Sequence, residues 1–124
     1  MSDISVRHFQ DMDLTVLVVR GPLSASDIVH HASHSYTTNR VLWDLRAASA
    51  ERLSPEEYET LPQFMRTLSI PRARGKTALL GDKSNPDFDV LHMYKKLVES
   101  TSLPVEYQVF SSIEEAKRWL GVTV

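Results

Sequence analysis

The chain has 124 residues, about the length of one domain, which excludes a two-domain enzyme with its site in an interdomain cleft. Hydrophobic residues make up 42%, enough for a core, and 14 Lys+Arg against 16 Asp+Glu leave a formal charge of −2 that gives no field favouring nucleic acid or an anionic membrane. The absence of Cys excludes disulfide frameworks, thiolate metal sites, iron–sulfur clusters and cysteine nucleophiles. The start Met1-Ser2-Asp3 lacks a basic segment leading into an apolar one, and no run approaches ~18 apolar residues. A soluble, cytoplasmic protein with no membrane insertion is expected.

From the amino end, Ile4 to Phe9 alternates and Leu14 to Val19 is almost wholly apolar, a pattern that predicts a hairpin with a half-exposed first strand and a central second one. Gly21-Pro22 should end the second strand. Ser24 to Asp27 reads as a capping box, and Ile28, Val29, Ala32 and Tyr36 recur at helical spacing. Val41 to Leu45 predicts a buried strand ending near Asp44, followed by a polar loop from Arg46 to Leu53. Ser54-Pro55-Glu56-Glu57 is a strong helix start, and Pro62 should kink or restart that helix. Lys76 to Leu80 is a short strand closed by Gly81. Asn85-Pro86 opens a helix whose apolar face is Phe88, Leu91, Tyr94 and Val98. Val105 to Phe110 alternates as a strand, and Ser112 to Glu115 caps a last helix that Gly121 closes.

The order β-β-α-β-α-β-α-β-α predicts a single α/β domain spanning 1–124. Its mixed sheet has parallel core strands joined by right-handed crossovers and an N-terminal antiparallel hairpin. If the strands are added in sequence order with crossovers of one hand, the helices gather on one face. The other face would then expose Ile4 and Val6, or Val105, Tyr107 and Val109, and on that ground a homodimer is expected. Trp43, Phe64, Phe88, Tyr94 and Trp119 sit at core spacing.

Several strings resemble the SpoIIAA-like fold, the STAS domain of anti-sigma-factor antagonists and sulfate transporters, and most of all its small stand-alone bacterial members. They are Val18 to Leu23, Val41 to Arg46, Gly75 to Leu80, Phe88 to Tyr94, and Val109-Phe110 with Glu115-Ala116 and Trp119 to Gly121. Most of these positions are apolar or glycine and so report fold. The antagonists carry a phosphorylated serine in an Asp-Ser-Ser/Thr-Gly motif after the third strand. The corresponding stretch here, Asp44 to Ser54, lacks it, and only Ser49 and Ser54 remain as candidates. The resemblance thus implies a non-enzymatic module that binds a partner protein or a small ligand.

Ligands of open α/β sheets bind beyond the carboxyl ends of the strands, so Asp44, Arg46, Ser49, Ser54 and Asp82 are the tentative ligand-binding residues, with a phosphate or carboxylate as the natural ligand. The bland reading makes Asp44 a turn cap and Asp82 an ordinary loop acid. His30 and His34 share a helix face as two metal ligands would, but that face lies opposite the apolar stripe, with no third ligand and no His-Glu-x-x-His pattern. No metal and no cofactor are expected. No Gly-x-Ser-x-Gly elbow exists, and Gly75-Lys76-Thr77 lacks the upstream glycine of a phosphate loop. Arg66, Arg72, Arg74 and Lys76 read as a solvated loop rather than a nucleic-acid surface. The expected function is non-catalytic protein binding. The alternatives are an apolar or anionic small-ligand site, or a switch phosphorylated at Ser49 or Ser54.

Overall fold

The computed structural model describes residues 3–35, 38–49, 54, 56–57, 60–61, 75–85, 87–100 and 106–123, with side chains 32–35 and 100 outside the description. Five strands, β1 (Asp3–Phe9), β2 (Leu14–Pro22), β3 (Arg40–Ser49), β4 (Lys76–Leu80) and β5 (Glu106–Phe110), form one sheet in that order. The β1/β2 pair is antiparallel and every other pair is parallel. Among the described residues the helices are α1 (Ala25–Ser35), α2 (Phe88–Ser100) and α3 (Ile113–Leu120), and a 3-10 turn, Gln10–Met12, joins β1 to β2. No helix among them is long and apolar enough to cross a membrane. The helix expected after Ser54 falls largely outside the described residues, but its cap is present. Glu57 N–H donates to Ser54 Oγ (3.2 Å), and Ser54 N–H donates to Glu57 Oε1 (3.0 Å).

The strands run further than their apolar patterns predict. Gly21 and Pro22 belong to β2, paired with Ala48 and Ser49 of β3. Pro22 is the last residue of β2, and among the described residues no β1 residue is paired with it, a position where a missing N–H is tolerated. The supposed loop after Asp44 starts as strand, through a bulge. Val18 pairs with Asp44 but Arg20 with Ala47, so one extra residue of β3 bends the strand and carries it on to Ser49.

Alternation divides the apolar side chains between two faces. Leu17, Val19, Val41, Trp43, Leu79 and Tyr107 point to one, where Ile28 of α1 and Tyr94 and Val98 of α2 cover them. Leu14, Leu42, Ala78 and Leu80 point to the other, beneath Ala116 and Leu120 of α3. The helices therefore do not gather on one face. The crossover rule constrains α1, which links parallel strands, but α3 follows the last strand and is free to take the opposite side. Ile4, Val6, Tyr107 and Val109, expected on a bare face, pack instead against the core under α1 and α2. Val105 lies outside the described residues.

The end of the sheet at which the parallel strands begin is pinned by polar contacts. Arg40 donates to the Met12 carbonyl (2.7 Å), and Lys76 Nζ donates to the Trp119 carbonyl (3.0 Å) while lying 5.0 Å from the centre of its ring. Thr38 Oγ1 donates to the Arg40 carbonyl (2.7 Å), which leaves it to accept from Thr15 (2.8 Å) in the buried interior. Lys76, the one described member of the expected basic patch, is thereby a structural tie.

Candidate functional site

An open crevice with a volume of about 60 Å³ lies beyond the carboxyl ends of β2, β3 and β4, beside the start of α2. Leu23, Leu45 and Ala48 line it from the sheet side, and Phe88, Val90 and Leu91 from the helix. Gly81 sits between them. A Cβ there would come within 2.6 Å of Leu91 Cδ1 and 2.9 Å of Phe88 Cδ1, so the bare backbone is what lets α2 approach the end of β4 this closely.

The mouth is polar. Ser49, Asp82, Asn85 and Asp87 complete the lining. Asp82 Oδ1 accepts from Ser84 Oγ (2.7 Å) and Ser84 N–H (3.0 Å), and these bonds hold its exposed carboxyl below the usual carboxylate range. Asn85 Oδ1 accepts from Asp87 N–H (2.9 Å), and its carbonyl accepts from Phe88 N–H (2.9 Å), which turns the chain into α2. The polar groups of the segment between β4 and α2 thus shape the turn and rim the crevice at once.

Of the five residues expected to converge, the structure brings two together, Ser49 and Asp82. Asp44 and Arg46 are engaged with one another: Arg46 Nε donates to Asp44 Oδ1 (2.9 Å) and a terminal nitrogen to Oδ2 (2.7 Å), a bidentate pair. Leu42, two residues before Asp44, faces α3, and alternation puts Asp44 on that side too, where the charge of Glu114 in α3 acts on Arg46. Burial pushes the Asp44 carboxyl up, but the Arg46 hydrogen bonds and the charges of Arg46 and Arg20 outweigh it and hold the pKa down. Ser54 is a helix cap and does not line the crevice. A cluster of all five was expected because strand ends converge. The bulge in β3 instead lies between Asp44, whose side chain points to the α3 face, and Ser49, which lines the crevice.

The apolar walls carry no chemical motif, so a search for reactive side chains passes over them. A usable signal was Gly81 followed by Phe88 and Leu91 one helical turn apart. His30 is exposed, with its ring edge-to-face on His31 at 5.1 Å, and the His34 side chain lies outside the description. No group of three or more His, Cys, Asp or Glu side chains able to hold a metal occurs among the described residues.

The sheet order and helix placement define an α/β domain of SpoIIAA-like fold. No family model matches the chain, and no curated protein does. Among solved structures it is similar to the crystal structure of an uncharacterised protein of the DUF3478 family, with a SpoIIAA-like fold, from Shewanella loihica PV-4. The TM-score is 0.51 over 96% of this chain and 93% of that one, at 16% identity, a likeness of fold alone.

Proposed function

We propose that the protein is a non-catalytic binding module whose crevice receives an apolar side chain of a protein partner, flanked in that partner by basic residues. The observation that carries this reading is the crevice itself, lined by apolar side chains with two acidic residues, Asp82 and Asp87, among its lining residues. Apolar walls reward burial of an anchor group, and carboxylates at the rim favour cations beside it. An anionic ligand meets the opposite arrangement, since Arg46 is bound to Asp44 rather than turned to the crevice.

Selection of displayed peptides against the purified protein tests this. Enriched sequences should share one large apolar residue next to Lys or Arg, and should bind at least about tenfold more weakly to Ala48→Trp and Asp82→Lys. Enrichment of acidic peptides, or binding indifferent to both substitutions, would overturn it. A second reading, a small apolar ligand, draws on the apolar side chains of Leu23, Leu45, Phe88 and Leu91 that line the crevice. Native mass spectrometry of freshly purified protein should then show a bound mass that Ala48→Trp removes.

A further inference from the structure

β1 is an edge strand. Among the described residues it pairs with β2 on one side and ends the sheet on the other, with no proline or glycine between Asp3 and Phe9. Such an edge is a template for another strand unless charge or shape opposes pairing. The charges on this edge oppose some partners and suit one.

We infer that β1 pairs antiparallel with β1 of a second copy about a two-fold axis at Ser5, joining two sheets into one. A two-fold perpendicular to the sheet keeps each face on its own side, so only residues of equal parity come opposite one another. With Ser5 on the axis, Asp3 faces the second copy's Arg7 and Arg7 faces its Asp3. Ile4 faces Val6 and Val6 faces Ile4. Opposite charges meet twice on the α3 side, and apolar pairs meet twice on the side where Ile4 and Val6 already pack against the core. Asp3 is also aligned with Arg20 of β2 and lies 4.0 Å from it, so each Asp3 would stand between two arginines in a ladder across three strands.

Other registers lack this match. An axis at Val6 sets Asp3 against Phe9 and Ser5 against Arg7, and an axis at Arg7 sets the two arginines against each other. The opposite edge, β5, sets Glu106 against Phe110 when centred on Gln108. The pairing at Ser5 is therefore selected by charge, and none of the β1 residues it uses lines the crevice.

Sedimentation of the full chain tests the proposal. Wild type should pass from monomer to dimer over roughly micromolar to hundreds of micromolar concentrations. Arg7→Asp alone sets carboxylate against carboxylate at both charged contacts, and Asp3→Arg alone sets guanidinium against guanidinium there, so each should weaken the dimer about tenfold or more. Mixed together the two variants pair opposite charges at every contact, and the dimer should return as a heterodimer. The chain has no native cysteine, so Ser5→Cys should oxidise to a covalent dimer while Val6→Cys does not. Circular dichroism of each variant establishes that it is folded. A strict monomer throughout would overturn the proposal. So would a dimer indifferent to the single reversals, a mixture that fails to re-associate, or cross-linking through Val6→Cys in place of Ser5→Cys.

Discussion

Gly81 and Gly121 are both small for reasons that differ in kind. Gly121 has φ of 77°, in the left-handed region, and a Cβ there would meet nothing within 4 Å. Its replacement by Ala costs backbone strain alone, about 1 kcal/mol. Gly81 carries the steric problem instead, because a Cβ would press on the ends of Leu91 and Phe88. Those ends give way in part, so Gly81→Ala should cost about 1 kcal/mol and Gly81→Val more, read by chemical denaturation. The Asp44–Arg46 pair predicts a pH effect of definite sign. The folded-state pKa of Asp44 lies below the ordinary 3.8, so its contribution to stability is present above that value and is lost as the pH falls through the folded pKa. The stability difference between wild type and Asp44→Asn should therefore be constant near neutrality and shrink below about pH 4, as followed by denaturant titration at each pH. Both residues were legible in the sequence as polar groups near a strand end. Their mutual engagement was not, because alternation fixes the face only once the bulge is known.

At the scale of elements, local chemistry specified the starts of helices more reliably than the ends of strands. Ser24, Ser54 and Ser112 each accept a hydrogen bond from the backbone N–H three residues on, as their spacing predicts. These bonds depend only on neighbours in the chain. Ser112→Ala should thus cost about 1 kcal/mol, as should Ser24→Ala, both read from denaturation midpoints at unchanged slope. The ends of β2 and β3 depend on one another. Gly21, Pro22 and the polar stretch after Asp44 read as terminators, but parallel pairing across the bulge holds Arg20 to Pro22 against Ala47 to Ser49. Pairing of that sort joins residues far apart in sequence, and no local pattern encodes it.

Among the described residues the molecule has two cores on the two faces of one sheet, and each holds one of its two tryptophans. Trp43 is buried at 4% exposure under α1 and α2, and Trp119 packs on the other face with Phe110 at 5.6 Å between ring centres. β2, β3 and β4 contribute side chains to both cores, so neither can come apart without disturbing the other. Single-tryptophan variants, Trp43→Phe and Trp119→Phe, should therefore report unfolding transitions with coincident midpoints once each is corrected for its own loss of stability against circular dichroism. Separate fluorescence and circular dichroism midpoints in either variant would mean that the faces unfold independently.

By itself the sequence determined the α/β class, the order of the described strands and helices, the helix caps and the resemblance to a SpoIIAA-like fold, since all of these rest on periodicity and on contacts between near neighbours. Only the tertiary structure decided that α3 crosses to the opposite face, that Ser49 and Asp82 share a crevice while Asp44 and Arg46 do not, and that Gly81 sets how closely α2 approaches. The reason is common to all three. Each depends on contacts between distant parts of the chain: the bulge in β3 and the unconstrained path after β5 fix which face a side chain takes, and the packing of α2 on the end of β4 fixes the room at Gly81.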